Sequence, residues 1–336
     1  MDLSTGINSE NFKTKEICLA PMLDVTTANF RRFVRLTSEH TILFTELIVA
    51  NTVIHIDKEK LIERLGDIDE RTVVQIGGSD VNEIVNAICV LKDVGCKHFN
   101  LNVGCPSTRV QKGCFGAVLM KNKELISEII NSVYKKCDIV LSLKIRTGVD
   151  NYDTYEFFRD FVHFLVKNTP VKKFYVHARK CWLLGLSPKQ NRNIPPLNYS
   201  FVYKIKEEFP HVLFILNGGL KKIADFNKLF CNNNLTLDGI MIGREAIKNI
   251  LVFRSFENYL HESSQDTIFS LVKKYLNKFE LSKPITFRIL NPLQNILHGQ
   301  KGTKKWKIFL NESVHKKKLT VSDFIDEIES LGLSDI

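Results

Sequence analysis

The stretch Phe99-Asn100-Leu101-Asn102-Val103-Gly104-Cys105-Pro106-Ser107 reads as an alternating apolar strand that ends in a Gly-Cys-Pro turn. Pro106 supplies no amide donor and Gly104 permits dihedrals that other residues resist, so Cys105 belongs neither mid-strand nor mid-helix. A free cysteine is ordinarily a small buried hydrophobe. Here the turn is expected to expose its sulfur at a loop mouth, on the strand face where a barrel enzyme keeps its chemistry.

Working outward, short apolar strands alternate with amphipathic helical stretches from Ile17 to about Leu251, the pattern of repeated βα units. Eight strands are predicted, at Ile17 to Ala20, Ile42 to Leu47, Val73 to Ile76, Phe99 to Val103, Ile139 to Ile145, Phe174 to His177, Leu213 to Asn217 and Gly239 to Ile242. Intervening helices are expected at Ala28 to Thr37, Asn82 to Val94, Lys123 to Lys136, Tyr152 to Val166, Tyr199 to Phe209, Lys221 to Phe230 and Arg244 to Leu251. Eight units closing on themselves make an α/β TIM barrel. A doubly wound open sheet is the alternative, and the G-x-G-x-x-G that it would want after its first strand is absent. Beyond the barrel come helices without strands, at Phe256 to His261, Ile268 to Glu280, Ile285 to Leu297, Thr303 to Val314 and Val321 to Leu331. The expected division is a tail at 1–16, a barrel at 17–255 and a helical domain at 256–336.

A chain of 336 residues, 44% hydrophobic and 25% charged, lies in the globular range. It has no run of roughly 18 apolar residues that could span a bilayer. The polar, mixed-charge start from Met1 to Glu16 resembles neither a secretory signal nor a transit peptide, so a cytoplasmic location is expected. The eight cysteines form no C-x-x-C pair and have no histidine at ligand spacing, so neither a metal site nor a disulfide framework is indicated. The net charge of +10 favours a polyanionic partner. Lys301, Lys304, Lys305, Lys307, Lys316, Lys317 and Lys318 concentrate that charge in the helical tail, where a solvated helix face is the plain reading unless the barrel chemistry requires a polyanion.

Each predicted strand delivers polar or turn-forming residues at its C-terminal end: Pro21-Met22-Leu23, Thr45-Glu46, Gln75, Asn102 with Cys105, Lys144-Ile145-Arg146, His177-Ala178-Arg179-Lys180, Asn217-Gly218-Gly219 and Gly243-Arg244. The last two segments are the most specific cofactor signal. Loops after strands seven and eight hold phosphate in many barrels, and Arg244 adds a bidentate donor. Lys144 and His177 would then place positive charge beside an electron-rich ring such as a reduced flavin, with Gln75 at its other edge. A flavin with an exposed thiol suggests reduction of a double bond conjugated to a carbonyl. Hydride adds to one carbon and an acid protonates the other. A free thiol, ordinarily ionising near roughly pH 8.5, carries the needed proton at neutral pH.

The segments Leu19-Ala20-Pro21-Met22-Leu23-Asp24, Gln75-Ile76-Gly77-Gly78-Ser79, Leu101 to Ser107, His177-Ala178-Arg179-Lys180 and Gly185-Leu186-Ser187-Pro188-Lys189-Gln190-Asn191-Arg192 together resemble the tRNA-dihydrouridine synthases. More narrowly they resemble the A-type enzymes, which act on uridines 20 and 20a of the tRNA D-loop. The resemblance covers roughly Ile17 to Lys317. It implies FMN contacts at Pro21, Met22, Leu23, Gln75, Lys144, His177, Asn217, Gly218, Gly219, Gly243 and Arg244, with Cys105 as proton donor to carbon 5 of the uracil. It also implies a nucleotide contact at Asn102 and tRNA contacts at Ser187, Lys189, Asn191, Arg192, Lys304 and Lys307. NADPH or NADH is the expected reductant, meeting the flavin in turn with tRNA. In Gly302-Thr303-Lys304-Lys305-Trp306-Lys307-Ile308 this chain has lysines where the A-type pattern has arginines, which keeps the charge and loses the planar fork. Two other readings stand beside this one: an FMN barrel acting on a free pyrimidine, which leaves the basic tail unexplained, and a non-catalytic tRNA-binding protein, which would expect gaps at the flavin and acid positions.

Overall fold

A computed structural model describes residues 14–231, 237–261, 266–316 and 319–330. Residues 1–13, 331–336 and the tail lysines Lys317 and Lys318 lie outside the described residues. Eight strands, β1 (Glu16–Leu19), β2 (Ile42–Val49), β3 (Thr72–Gly77), β4 (His98–Asn102), β5 (Ser142–Val149), β6 (Lys173–Cys181), β7 (Leu213–Asn217) and β8 (Gly239–Ile242), pair in sequence order into a closed barrel. The closure is parallel, with Glu16 opposite Gly239 and Leu19 opposite Ile242. That seam excludes the open doubly wound sheet. The fold is a TIM barrel.

Strand alternation produces two apolar layers. Cys18, Phe44, Val73, Tyr175, Ile215 and Met241 point inward and fill the barrel, with the Phe44 and Tyr175 rings edge to face at 4.9 Å. Their neighbours Leu19, Leu43, Val74, Phe174, Leu216 and Ile240 point outward and join the helices in the main core. With the interior plugged, the space left for a ligand is the C-terminal rim.

The main departures from the sequence reading have local causes. β5 starts at Ser142 rather than Ile139, because its pairing with β4 begins at Asn100 opposite Ser142. β5 and β6 run on to Val149 and Cys181 through a register shift between Arg146 and Gly148, forming a ribbon that rises above the rim. Two helices that the sequence reading lacks, Ala50–His55 and Lys58–Leu65, follow β2. The first follows β2 directly, with no connecting residue between Val49 and Ala50. The second is started by Asp57, whose carboxylate accepts from the amides of Glu59 and Lys60. The predicted helix Ile285 to Leu297 is only a turn at Phe287–Leu290 and a 3-10 turn at Asn291–Leu293, since Pro292 lacks an amide to continue it.

The helices Val252–His261, Ile268–Leu276, Thr303–His315 and Val321–Ser330 complete the tail. It packs on the helix Ala28–Thr37, with Phe33 edge to face on Tyr275 at 5.4 Å and the Arg32 guanidinium 5.1 Å from the centre of the Phe279 ring. Asn295 Nδ2 donates to the carbonyl of Ile247 at 2.8 Å, which ties the tail to the segment following β8.

Candidate active site

The Cys105 turn is held at every backbone polar group from Gly104 to Pro106. Asn102 Oδ1 accepts from the amides of Gly104 (3.3 Å) and Cys105 (3.0 Å). The Cys105 carbonyl accepts from Ala117 at 2.9 Å. The carbonyls of Gly104 and Pro106 accept from Arg146 Nε (2.8 Å) and Gln111 Nε2 (2.7 Å). Such a turn keeps a half-buried thiol in one place. Asn102 is itself fixed, its Nδ2 donating to Gln75 Oε1 at 2.8 Å while Gln75 Nε2 donates to Asn100 Oδ1 at 2.8 Å. Gln75 is 1% exposed, so this amide chain forms the floor beside the thiol.

Across the mouth stands a group of basic side chains. Lys144 and Arg146 alternate along β5, and His177 and Arg179 along β6, so each pair faces one side of its strand. Lys144 Nζ donates to Asn217 Oδ1 at 3.1 Å, and Asn217 Nδ2 donates to the Met241 carbonyl at 2.8 Å. Burial, reinforced by Arg146, pushes the Lys144 ammonium down to about 7. Burial and then Arg146, Lys144, Arg179 and Arg244 push His177 well below its ordinary range, leaving a neutral imidazole at neutral pH. Arg179 and Arg192 are lowered by burial and then by Arg244. Among the described residues, no carboxylate forms an ion pair with Lys144, Arg146, Arg179, Arg192 or Arg244. A partly buried basic wall without carboxylate counter-charge suits an anion. Arg179 Nε is buried with no hydrogen-bond partner, a donor waiting for an acceptor.

The glycines shape the same wall. Gly218 and Gly219 have φ of +120° and +76°. A Cβ on Gly218 would come within 2.8 Å of Leu197 and 3.1 Å of His177, and one on Gly219 within 2.6 Å of Leu197 and 2.7 Å of the Tyr199 hydroxyl. A Cβ on Gly243 would meet Ala20 and Met22 Sδ only at ordinary contact distance, 3.6 and 3.8 Å, at the point where β8 ends beside its neighbour β1. Pro21 and Met22 are half-buried and Leu23 is 57% exposed. The Met22 amide and carbonyl are both bonded to Thr26, which fixes their turn. Thus Pro21, Met22, Gln75, Lys144, His177, Asn217, Gly218, Gly219 and Gly243 share one rim with Cys105.

Arg244, at the end of β8, also braces a neighbouring loop. Its fork grips the loop after β6, one nitrogen donating to Asn193 Oδ1 and the other to the Arg192 carbonyl at 3.0 Å. Arg179 reaches the same loop at the carbonyls of Asn193 and Pro195. Asn191 departs from its expected role as a tRNA contact. It is fully buried, accepting from Trp182 N and donating to the carbonyls of Trp182 and Leu186, so it staples the loop from within. Ser187, Lys189 and Arg192 are exposed on that loop. In the tail, Trp306 is 5% exposed and donates to the Leu293 carbonyl at 2.8 Å, seating the helix that carries Lys304 and Lys307. Lys304 is exposed and Lys307 half-buried, and neither pairs with an acid among the described residues, whereas Lys316 pairs with Glu327. The sequence alone gives no specific role to Arg146 and Arg179. Their two-residue spacing from Lys144 and His177 on predicted strands was the available signal.

A sequence profile of the dihydrouridine synthase (Dus) family matches residues 18–329. The tRNA-dihydrouridine(20/20a) synthase of Pasteurella multocida is 33% identical over 318 residues, covering 92% of this chain and 94% of the relative. That of Haemophilus ducreyi is 36% identical over 317 residues, with 91% and 94% covered. Among solved structures, a 2-naphthoyl-CoA reductase complex matches with a TM-score of 0.51 at 10% identity, covering 72% of this chain and 49% of that one. A histamine dehydrogenase from Rhizobium sp. 4-9 matches at 0.50 and 10%, with 78% and 48% covered. This chain spans about half of each of those two proteins, and the likeness is one of fold.

Proposed function

The chain belongs to the dihydrouridine synthase family, and from that premise we propose that it reduces uridine to 5,6-dihydrouridine at positions 20 and 20a of the tRNA D-loop, using FMN re-reduced by NADPH or NADH. The observation that carries this reading is the half-buried Cys105 on a fully bonded turn, sharing a rim with a cationic wall that has no carboxylate counter-charge.

The residues present suit FMN. Gly218, Gly219, Gly243, Arg179 and Arg244 would hold its phosphate, with Arg179 Nε supplying a donor that has no other partner. Pro21, Met22 and Leu23 would border the ring, Lys144 and His177 its electron-rich edge, and Gln75 the opposite edge. A flavin held by these residues would supply the hydride for carbon 6 of the uracil. An anionic ring edge beside Lys144 would favour its protonated form, against the burial and the Arg146 charge that lower it. His177, kept neutral, donates a hydrogen bond without adding charge.

Cys105 completes the addition by giving its thiol proton to carbon 5, and the thiolate recovers a proton from solvent. Asn102 orients the uracil with its second Nδ2 hydrogen, the first being given to Gln75. A uridine in folded tRNA reaches this mouth only when turned out of its stack, so contacts to the phosphates around it are required. Ser187, Lys189 and Arg192 supply them from the β6 loop, and Lys304 and Lys307 from the helical domain at 256–336.

The test is to incubate purified protein with NADPH and an unmodified tRNA transcript and to map dihydrouridine. Appearance at positions 20 and 20a supports the reading. Turnover of free uracil with none on tRNA would favour a pyrimidine reductase, and tRNA binding by a flavin-free protein would favour a binding module.

A further inference from the structure

Gln111 lies outside the flavin wall and carries no charge, yet it spends both hydrogens of its amide on carbonyls of two different loops. Nε2 donates to Pro106 O at 2.7 Å in the cysteine turn and to Leu183 O at 2.8 Å in the loop after β6. Beneath it, Arg146 repeats the pattern. Its Nε holds Gly104 O at 2.8 Å, and NH1 holds Lys180 O at 3.1 Å and Asn191 O at 3.3 Å. The β6 loop is in turn stiffened internally by Asn191 and tied through the Leu183 amide to Asp150 Oδ1 at 2.8 Å.

We propose that Gln111 is a positioning residue that latches the Cys105 turn to the loop carrying Ser187, Lys189 and Arg192, so that gripping tRNA on that loop sets the thiol against the extruded base. The inference rests on the proposed reaction. Its chemistry is specific to an amide of this length. A planar NH2 presents two donors in divergent directions and can bridge two carbonyl oxygens, whereas a carboxylate repels both and a thioether offers nothing. Gln111 sits one turn beyond the Ser107 cap of the short helix Thr108–Lys112, so its reach is set by the same segment that begins with the cysteine turn.

The experiment compares Gln111→Met, which keeps length without donors, and Gln111→Glu, which keeps shape and opposes both carbonyls. In NADPH-reduced enzyme mixed with excess tRNA, both variants are expected to be reoxidised at least ~10-fold more slowly at saturation, because a thiol displaced by about an ångström loses its in-line placement. The tRNA dissociation constant, FMN content and rate of reduction by NADPH should stay within about twofold of the parent, a split that general loss of structure would not produce. Iodoacetamide labelling of Cys105 should also quicken, read by mass spectrometry after trypsin cleavage at Arg109 and Lys112 separates it from Cys114. Parental reoxidation and labelling in either folded variant overturns the proposal. If the parent enzyme itself is not oxidised by tRNA, the proposed reaction fails, and the labelling comparison still decides the latch.

Discussion

Replacing Lys144 by Met tests the electrostatics of the wall by a route independent of turnover. Burial and Arg146 lower this ammonium from 10.5 to about 7. The unfolded chain therefore keeps the proton until about pH 10.5 while the folded apoprotein gives it up near 7. Burial of Lys144 opposes folding in full below pH 7, and the penalty fades as pH climbs toward the unfolded value. The interval corresponds to ~5 kcal/mol at about pH 6 and to ~2 kcal/mol at about pH 9. The near-isosteric Lys144→Met removes the penalty and forfeits the hydrogen bond to Asn217, worth ~1 kcal/mol at either pH. Denaturant unfolding of the apoprotein should thus show a gain in stability that is ~3 kcal/mol larger at the lower pH. FMN affinity should move the opposite way, weakening in the variant. Calorimetry near pH 8 in two buffers of different ionisation enthalpy should show the parent taking up close to one proton on binding FMN and the variant taking up none. A stability change that is the same at both pH values, with equal proton uptake, would refute the assignment of a buried, uncompensated Lys144 to the flavin site.

Arg244→Ala should weaken FMN binding and also loosen the β6 loop, since its fork holds Asn193 and Arg192; unchanged FMN affinity by fluorescence titration would remove Arg244 from the phosphate grip. Gly219→Ala places a Cβ 2.6 Å from Leu197 at a φ of +76° and should cost on the order of 1–3 kcal/mol with loss of FMN retention; a variant that purifies with parental stability and flavin would show that this turn tolerates a side chain. Replacing Lys304 and Lys307 together by Ala should raise the tRNA dissociation constant and flatten its salt dependence by about two phosphate contacts while sparing reduction by NADPH. An identical salt slope returns that helix to an ordinary solvated face.

The barrel was legible because its signal is repeated: eight apolar runs, each ending in polar or turn-forming residues, constrain one another more than any single run constrains itself. The short helix at 50–55 was hidden because it follows β2 with no connecting residue and no side-chain cap to mark its start. The rise of β5 and β6 above the rim was hidden because a register shift has no periodic signature. At the candidate site, which residues gather on the rim could be read from their positions after strands. What each contacts could not. Asn191 and Arg192 are neighbours in one motif, but only the packing of Trp182 and Leu186 turns Asn191 inward and leaves Arg192 exposed. Gln111 and Arg146 act across segments far apart in the chain, on carbonyls that sequence does not distinguish.

The central claim, that Cys105 gives the proton to carbon 5 of a tRNA uridine, meets its most direct test in rapid mixing of NADPH-reduced enzyme with tRNA. Cys105→Ala should bind FMN and tRNA and accept electrons from NADPH as the parent does, because the backbone of the turn is held by the side chains of Asn102, Arg146 and Gln111 and by the Ala117 amide rather than by the sulfur. Its reoxidation by tRNA should slow by on the order of 10²-fold or more, with dihydrouridine formation slowing in step. Reoxidation of the Cys105→Ala enzyme at the parental rate would contradict the claim and leave Cys105 a packing residue.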